Sequence, residues 1–146
     1  MKAAASRGNN LVSAFLLVDD VEKELAFVRA VFGAEVVSQQ QASQAGTWQG
    51  EVRIGGAIVL VRRASKDQPR ASCTLHVWVE DVDASYGAAL AHGAESVSQP
   101  EDRPYGNREA AIKDPQGNTW WIARPIRKPS SREVERKLAA QRRERL

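Results

Sequence analysis

Apolar positions change period along this chain, and they do so twice in the same order. Residues from about 11 to 18 (LVSAFLLV) are rich in Leu, Val and Phe and predict a strand. Val21, Leu25, Val28 and Phe32 then recur at i, i+4, i+7 and i+11, one apolar face of a helix. Asp19 or Asp20 caps its start, with Glu22 in a capping-box position after Asp19, and Gly33 stands where a left-handed residue ends it. Extended segments follow, turned by Gly55-Gly56. About 60 residues on, the order returns. A strand precedes Asp81, which caps a helix faced by Val82, Tyr86 and Ala89 and stopped by Gly93. A turn at Asp114-Pro115-Gln116-Gly117 then joins two further extended segments.

The repeat is visible residue by residue. Val18 to Glu22 aligns with Val79 to Asp83, Gly33 to Glu35 with Gly93 to Glu95, and Val37 to Gln39 with Val97 to Gln99. Glu51 to Ile54 aligns with Glu109 to Ile112, and Ala57 to Leu60 with Thr119 to Ile122. Each copy reads as strand, helix, strands, over about residues 10–64 and 72–125, joined by the polar stretch ASKDQPRA. Residues 1–128 are expected to form one domain and 129–146 a basic helical tail. The tail carries a capping-box signature at Ser130 and Glu133, and its apolar positions are few.

Composition narrows the classes. Net charge is +3, but from Pro125 onward eight Arg and Lys face three Glu, so the tail holds the basic balance and the rest is slightly acidic. No basic stripe of a nucleic-acid reader is present in the body, so nucleic acid is not an expected partner. No apolar run reaches the ~20 residues of a membrane helix, and the N-terminus lacks the apolar core of a secretory signal. Cys73 is the only cysteine, which excludes an intrachain disulfide and a cysteine-based zinc site. A cytoplasmic protein without membrane contact is expected.

The doubled unit, with its openings VDDVE and VEDVDA and its ending DPQGNTWWIA, resembles the vicinal oxygen chelate superfamily: glyoxalase I, extradiol dioxygenases, fosfomycin-resistance enzymes and the bleomycin-binding resistance proteins. The resemblance spans roughly residues 10 to 125 and is strongest to the branch described as glyoxalase/bleomycin-resistance proteins. It implies an α+β fold of two βαβββ modules forming a curled, cup-like mixed sheet, with the C-terminal helical tail appended, usually in a homodimer. In the metal-using relatives a His precedes the first-strand motif, where this chain has Ser13. The matching His of the second copy falls at Thr74, and the closing Glu of DPxGNxxE falls at Trp121. Hydroxyls are poor ligands for a divalent ion and Trp only donates, so no metal cofactor is expected. A divalent metal remains open only through an atypical site of His76 and Glu51.

Strand alternation and the family pattern assign faces. Ser13 and Phe15, then Thr74, His76 and Trp78, then Trp121 with Thr119 and Ala123, are expected to face the cup. Trp120 and Ile122 are expected in the core. Copy one would contribute Ala57, Val59 and Val61 inward. Glu51 and Glu109, equivalent in the repeat, would face each other across the pseudo-twofold axis, or be neutralised by Arg53, Arg108 or Lys113. Trp48 and Tyr105 lie on nearby segments. Ser13, Phe15, Trp48, Glu51, Thr74, His76, Trp78, Tyr105, Glu109 and Trp121 are thus the candidate ligand-binding set, with no catalytic residue assigned. Aromatic faces with polar tips suit a flat or cationic organic molecule. Metal-independent sequestration of such a molecule, as in antibiotic resistance, is the expected function. The alternative is a metal-dependent lyase, isomerase or dioxygenase with an atypical site, and a third reading makes the tail a partner arm. Rings that fill the cup and leave no pocket are the structural alternative.

Overall fold

A computed structural model describes residues 12–126 and 130–145. The expected first-strand residue 11 and the tail residue 129 lie outside them. The first half runs β1 (Ala14–Val18), α1 (Val21–Phe32), β2 (Glu35–Gln41), β3 (Thr47–Ile54) and β4 (Ala57–Arg63). The second runs β5 (Thr74–Trp78), α2 (Val82–Ala91), β6 (Glu95–Asp102), β7 (Asn107–Lys113) and β8 (Thr119–Pro125), followed by α3 (Ser131–Glu144). Each half is a βαβββ module. The sheet orders are β1-β4-β3-β2 and β5-β8-β7-β6, with β1 and β5 parallel to β4 and β8 and the other pairs antiparallel.

Local chemistry explains the element ends. Asp20 accepts a hydrogen bond from the Lys23 amide at 3.1 Å, and Asp81 does the same for Ala84 at 3.0 Å. With Asp20 as the cap, Glu22 sits in the first turn and accepts from Thr47 Oγ1 at 2.8 Å, so the reciprocal capping box is not formed. Gly33 closes α1 at φ 63°, a conformation that costs Gly nothing. Ser130 caps α3 through the Glu133 amide, and none of the described α3 residues is buried.

The core lies between each sheet and its helix. Leu16, Val18, Val52, Val59 and Val61 of the first sheet and Val77, Ala110, Ile112, Trp120 and Ile122 of the second join Leu25 and Val28 of α1 and Val82 and Ala89 of α2 in one buried cluster. Trp120 enters the core as expected. It is 2% exposed, 4.8 Å from the Phe32 ring, and donates from Nε1 to Asp114 at 2.8 Å.

One correction concerns the inward face of β4. Val59 and Val61, expected in the cup, are buried on the helix side, and Ala57 lies on the same side of the strand. Ile58, Leu60 and Arg62 take the opposite face, beside Phe15 and Leu17. The cause is hairpin length. Copy one turns through two residues between the paired Ile54 and Ala57, whereas copy two places Pro115, Gln116 and Gly117 between Asp114 and Asn118. With the helix caps as anchor, Leu60 beside Phe15 therefore matches Trp121 beside His76. A slip of one residue moves every side chain of a strand to the other face. The same count pairs Glu109 with Gln49 rather than Glu51: Gln49 lies opposite Arg62, and Glu109 opposite Ala123.

The turn DPQGN clasps the two modules. Gln116 Oε1 accepts from the Asp19 and Asp20 amides at 3.1 and 3.0 Å, satisfying free donors at the α1 N-terminus. Arg70, from the connecting segment, donates to Asp19 and to the Gln116 carbonyl, and Asn118 Oδ1 accepts from the Cys73 amide. Asp114 accepts from the Gln116 and Asn118 amides as well as from Trp120. Glu24, facing this turn from α1, is fully buried, and neither of its oxygens has a hydrogen-bond partner. Burial, and then Asp114 beside it, push its pKa up to about 9.

Candidate functional site

The two sheets approach each other along β1 and the segment before β5. Leu17 forms an antiparallel bridge to Ala71, and Cys73 Sγ lies 3.8 Å from the Phe15 carbonyl oxygen. Further along, where β5 proper begins, they separate. A crevice of about 600 Å³ opens there, bounded by β1, the β3–β4 turn and β5. That volume falls in the range of small-molecule sites. It brings together four of the expected site residues, Phe15, Thr74, His76 and Trp78, over an apolar floor that includes Ala14, Leu75, Val77 and Trp120. Ser13 lies between Val12 and Ala14, both of which line the crevice. Trp78 is 60% exposed, a large apolar surface left uncovered, and its ring meets His76 edge-on at 4.7 Å. Trp121 pairs with His76 in the ladder, on the side of β8 turned away from Trp120, and is half-buried.

The remaining expected residues fall into two groups, one on each sheet. On the first sheet, Arg62 stands between two rings, its guanidinium carbon 4.9 Å from the Phe15 centroid and 5.4 Å from that of Trp48. Trp48 reaches it from an irregular stretch of the β2–β3 ladder, where Gln40 pairs with Gln49 and Gln41 with Thr47. Gln49 Oε1 accepts from Arg62 Nε and Nη2 at 2.9 and 2.8 Å. Glu51 is half-buried on this face, opposite Leu60. Its expected neighbour Arg53 instead meets Glu35 at 3.8 Å. On the second sheet, Glu109 is 6% exposed and accepts a short hydrogen bond from the Tyr105 hydroxyl, with Arg103 Nε at 3.8 Å. Burial, and then Glu109 itself, raise the Tyr105 pKa to about 12, so this phenol stays a donor. Arg108 is spent elsewhere: it pairs with Asp83 and Asp102, and Asp83 is held below the usual carboxylate range by that hydrogen bond.

Glu51 and Glu109 are not a symmetric pair, because Gln49 holds the position of Glu109. Arg62 was missed because the misregistered hairpin placed it on the helix side. Its alternation with Ile58 and Leu60 was the available signal.

The metal site implied by the family does not fit these residues. Ser13, Thr74 and Trp121 hold the positions that the resemblance implies for its ligands, and His76 is exposed, its ring against Trp78. Among the described residues no three His, Cys, Asp or Glu side chains gather as a metal would require. No helix among them is long and apolar enough to cross a membrane.

Comparison with known proteins agrees with this architecture. The family model of the Glyoxalase/Bleomycin resistance protein/Dioxygenase superfamily matches residues 10–122. An uncharacterized protein of Mycobacterium bovis is 26% identical, covering 89% of this chain and 93% of its own length. The crystal structure of TioX from Micromonospora sp. ML1 is similar at a TM-score of 0.63 and 26% identity, over 82% of this chain and 98% of that one. TnmS3, an antibiotic binding protein from Streptomyces sp. CB03234, shares the fold at a TM-score of 0.58 and 24% identity, over 76% of this chain and 91% of its own. The chain belongs to the Glyoxalase/Bleomycin resistance protein/Dioxygenase superfamily.

Proposed function

We propose that this protein binds a flat organic molecule, without a metal, in the crevice between its two sheets. The observation that carries the reading is the crevice itself: about 600 Å³, with Phe15, His76 and Trp78 on its walls and Trp78 uncovered. Aromatic rings lose little conformational freedom on binding and stack on planar partners. Trp121, on the neighbouring strand, extends the aromatic surface where metal-using relatives are implied to carry a carboxylate. Glu109 is engaged by Tyr105 and Glu24 is sealed in the core, so neither is offered to a bound molecule as a general acid or base. Sequestration needs none. The shared fold with an antibiotic binding protein is consistent with this role.

Titration calorimetry with three planar probes tests the reading: cationic proflavine, neutral 2-naphthamide and anionic 2-naphthoate. At least one is expected to bind saturably, and Trp78→Ala, at an exposed position, to weaken it roughly two- to tenfold, the worth of one aromatic contact. No saturable binding of any probe overturns the proposal. So does stoichiometric divalent metal in protein purified without chelators, if it is lost in His76→Ala.

A further inference from the structure

Arg62 is half-buried, yet no carboxylate lies within ion-pairing distance of it among the described residues. Its three hydrogen bonds go to neutral acceptors, two to Gln49 Oε1 and one from Nη1 to Gln68 Oε1 at 3.1 Å. Guanidinium groups removed from water are usually matched by an acid. Here the neighbours hold the group in place without cancelling its charge. The rings of Phe15 and Trp48 fix its plane, Gln49 fixes its edge, and two of its five N–H donors remain.

The repeat sharpens the contrast. The second sheet, with the same backbone, has Ala123 where Arg62 stands and Glu109 where Gln49 stands. There an acid is present and is satisfied by Tyr105 and Arg103. The first sheet has a neutral Gln at that position, with Arg62 opposite it, and its carboxylate, Glu51, sits two residues along on the same face, opposite Leu60. Phe15 connects this group to the crevice, since it both lines the crevice and carries the guanidinium on its ring. The two rings that would serve a cationic ligand are already occupied by a cation.

We propose that Arg62 is the specificity determinant of the site and that the ligand is a planar aromatic carboxylate. Its ring system lies along the crevice and its carboxylate meets the unengaged N–H donors of Arg62, one on Nη1 and one on Nη2. A carboxylate complements the guanidinium in charge and in acceptors, which a neutral amide or an ammonium does not. The inference rests on the aromatic-crevice reading and adds the charge of the ligand to it.

The test compares 2-naphthoate with its near-isostere 2-naphthamide, by calorimetry, on the full chain. The native protein should prefer the carboxylate by roughly ten- to hundredfold, the range of a charge-assisted hydrogen bond. Arg62→Gln should abolish the preference, whereas Arg62→Lys, which keeps the charge and loses the fork, should retain part of it. Circular dichroism confirms that each variant is folded; should Arg62→Gln not fold, the native protein and Arg62→Lys decide the question. Equal affinity of the native protein for the two probes, or a preference that survives Arg62→Gln, overturns the anion subsite and leaves the aromatic crevice standing. So does binding of proflavine alone. Failure of every probe overturns both.

Discussion

Replacing Glu24 by Gln should stabilise this protein, and increasingly so as pH rises. Glu24 is fully buried with two unpartnered oxygens, and its pKa is raised from an ordinary 4.5 to about 9. Burial opposes the charged form first, and the Asp114 carboxylate adds to that opposition. The folded protein therefore holds a proton that the unfolded chain releases above pH 4.5. Stability is undiminished by this group below pH 4.5 and falls by about 1.4 kcal/mol per pH unit until the folded-state value near 9. At pH 7 the cost is roughly 3 kcal/mol, a large fraction of a small domain's stability. Gln preserves the shape and has no proton to lose. Urea unfolding of both proteins at pH 5 and pH 8 isolates the effect, because every other titrating group is common to the two. The stability of Glu24→Gln relative to the native protein should rise by roughly 4 kcal/mol between those pH values. An unchanged difference would show that Glu24 ionises freely in the folded state, and the buried contact between α1 and the DPQGN turn would be wrong.

Two further predictions follow from the same contact and from the tail. Gln116→Ala removes the acceptor of two α1 N-terminal amides and should lower stability by about 1–2 kcal/mol, seen as a lower urea midpoint at unchanged slope. Deleting residues 129–146 removes a helix with no buried residue among those described, so the melting temperature and probe affinity of the remainder should change little. A fall of several degrees would reveal that α3 supports the body.

Much of the fold was legible because its signals are local. Asp81, and one of Asp19 and Asp20, read as helix caps through their own chemistry, Gly33 as a left-handed stop, and the order of elements as a repeat; the structure selects Asp20. Alternation put Trp120 and Trp121 on opposite faces of the strand, and the family pattern chose which of them enters the core. The register of β4 was not legible, because the two hairpins differ by one residue and no local property of Ala57 to Leu60 records that. Arg62 was lost with it, although its partners Phe15 and Trp48 were both singled out. Glu24 was hidden for another reason. A glutamate in a first helical turn reads as solvated, and the groups that bury it lie about ninety positions away, in the turn of the other module. The same distance concealed the structural work of DPQGN, which as a sequence announces a turn and in the fold joins two modules.

The claim that this superfamily member binds without a metal is tested most directly by titrating the planar probes into protein dialysed against EDTA. The account predicts saturable binding at one site per chain, with an affinity unchanged when zinc or manganese is restored. Binding that vanishes after chelation and returns only with added metal would contradict it.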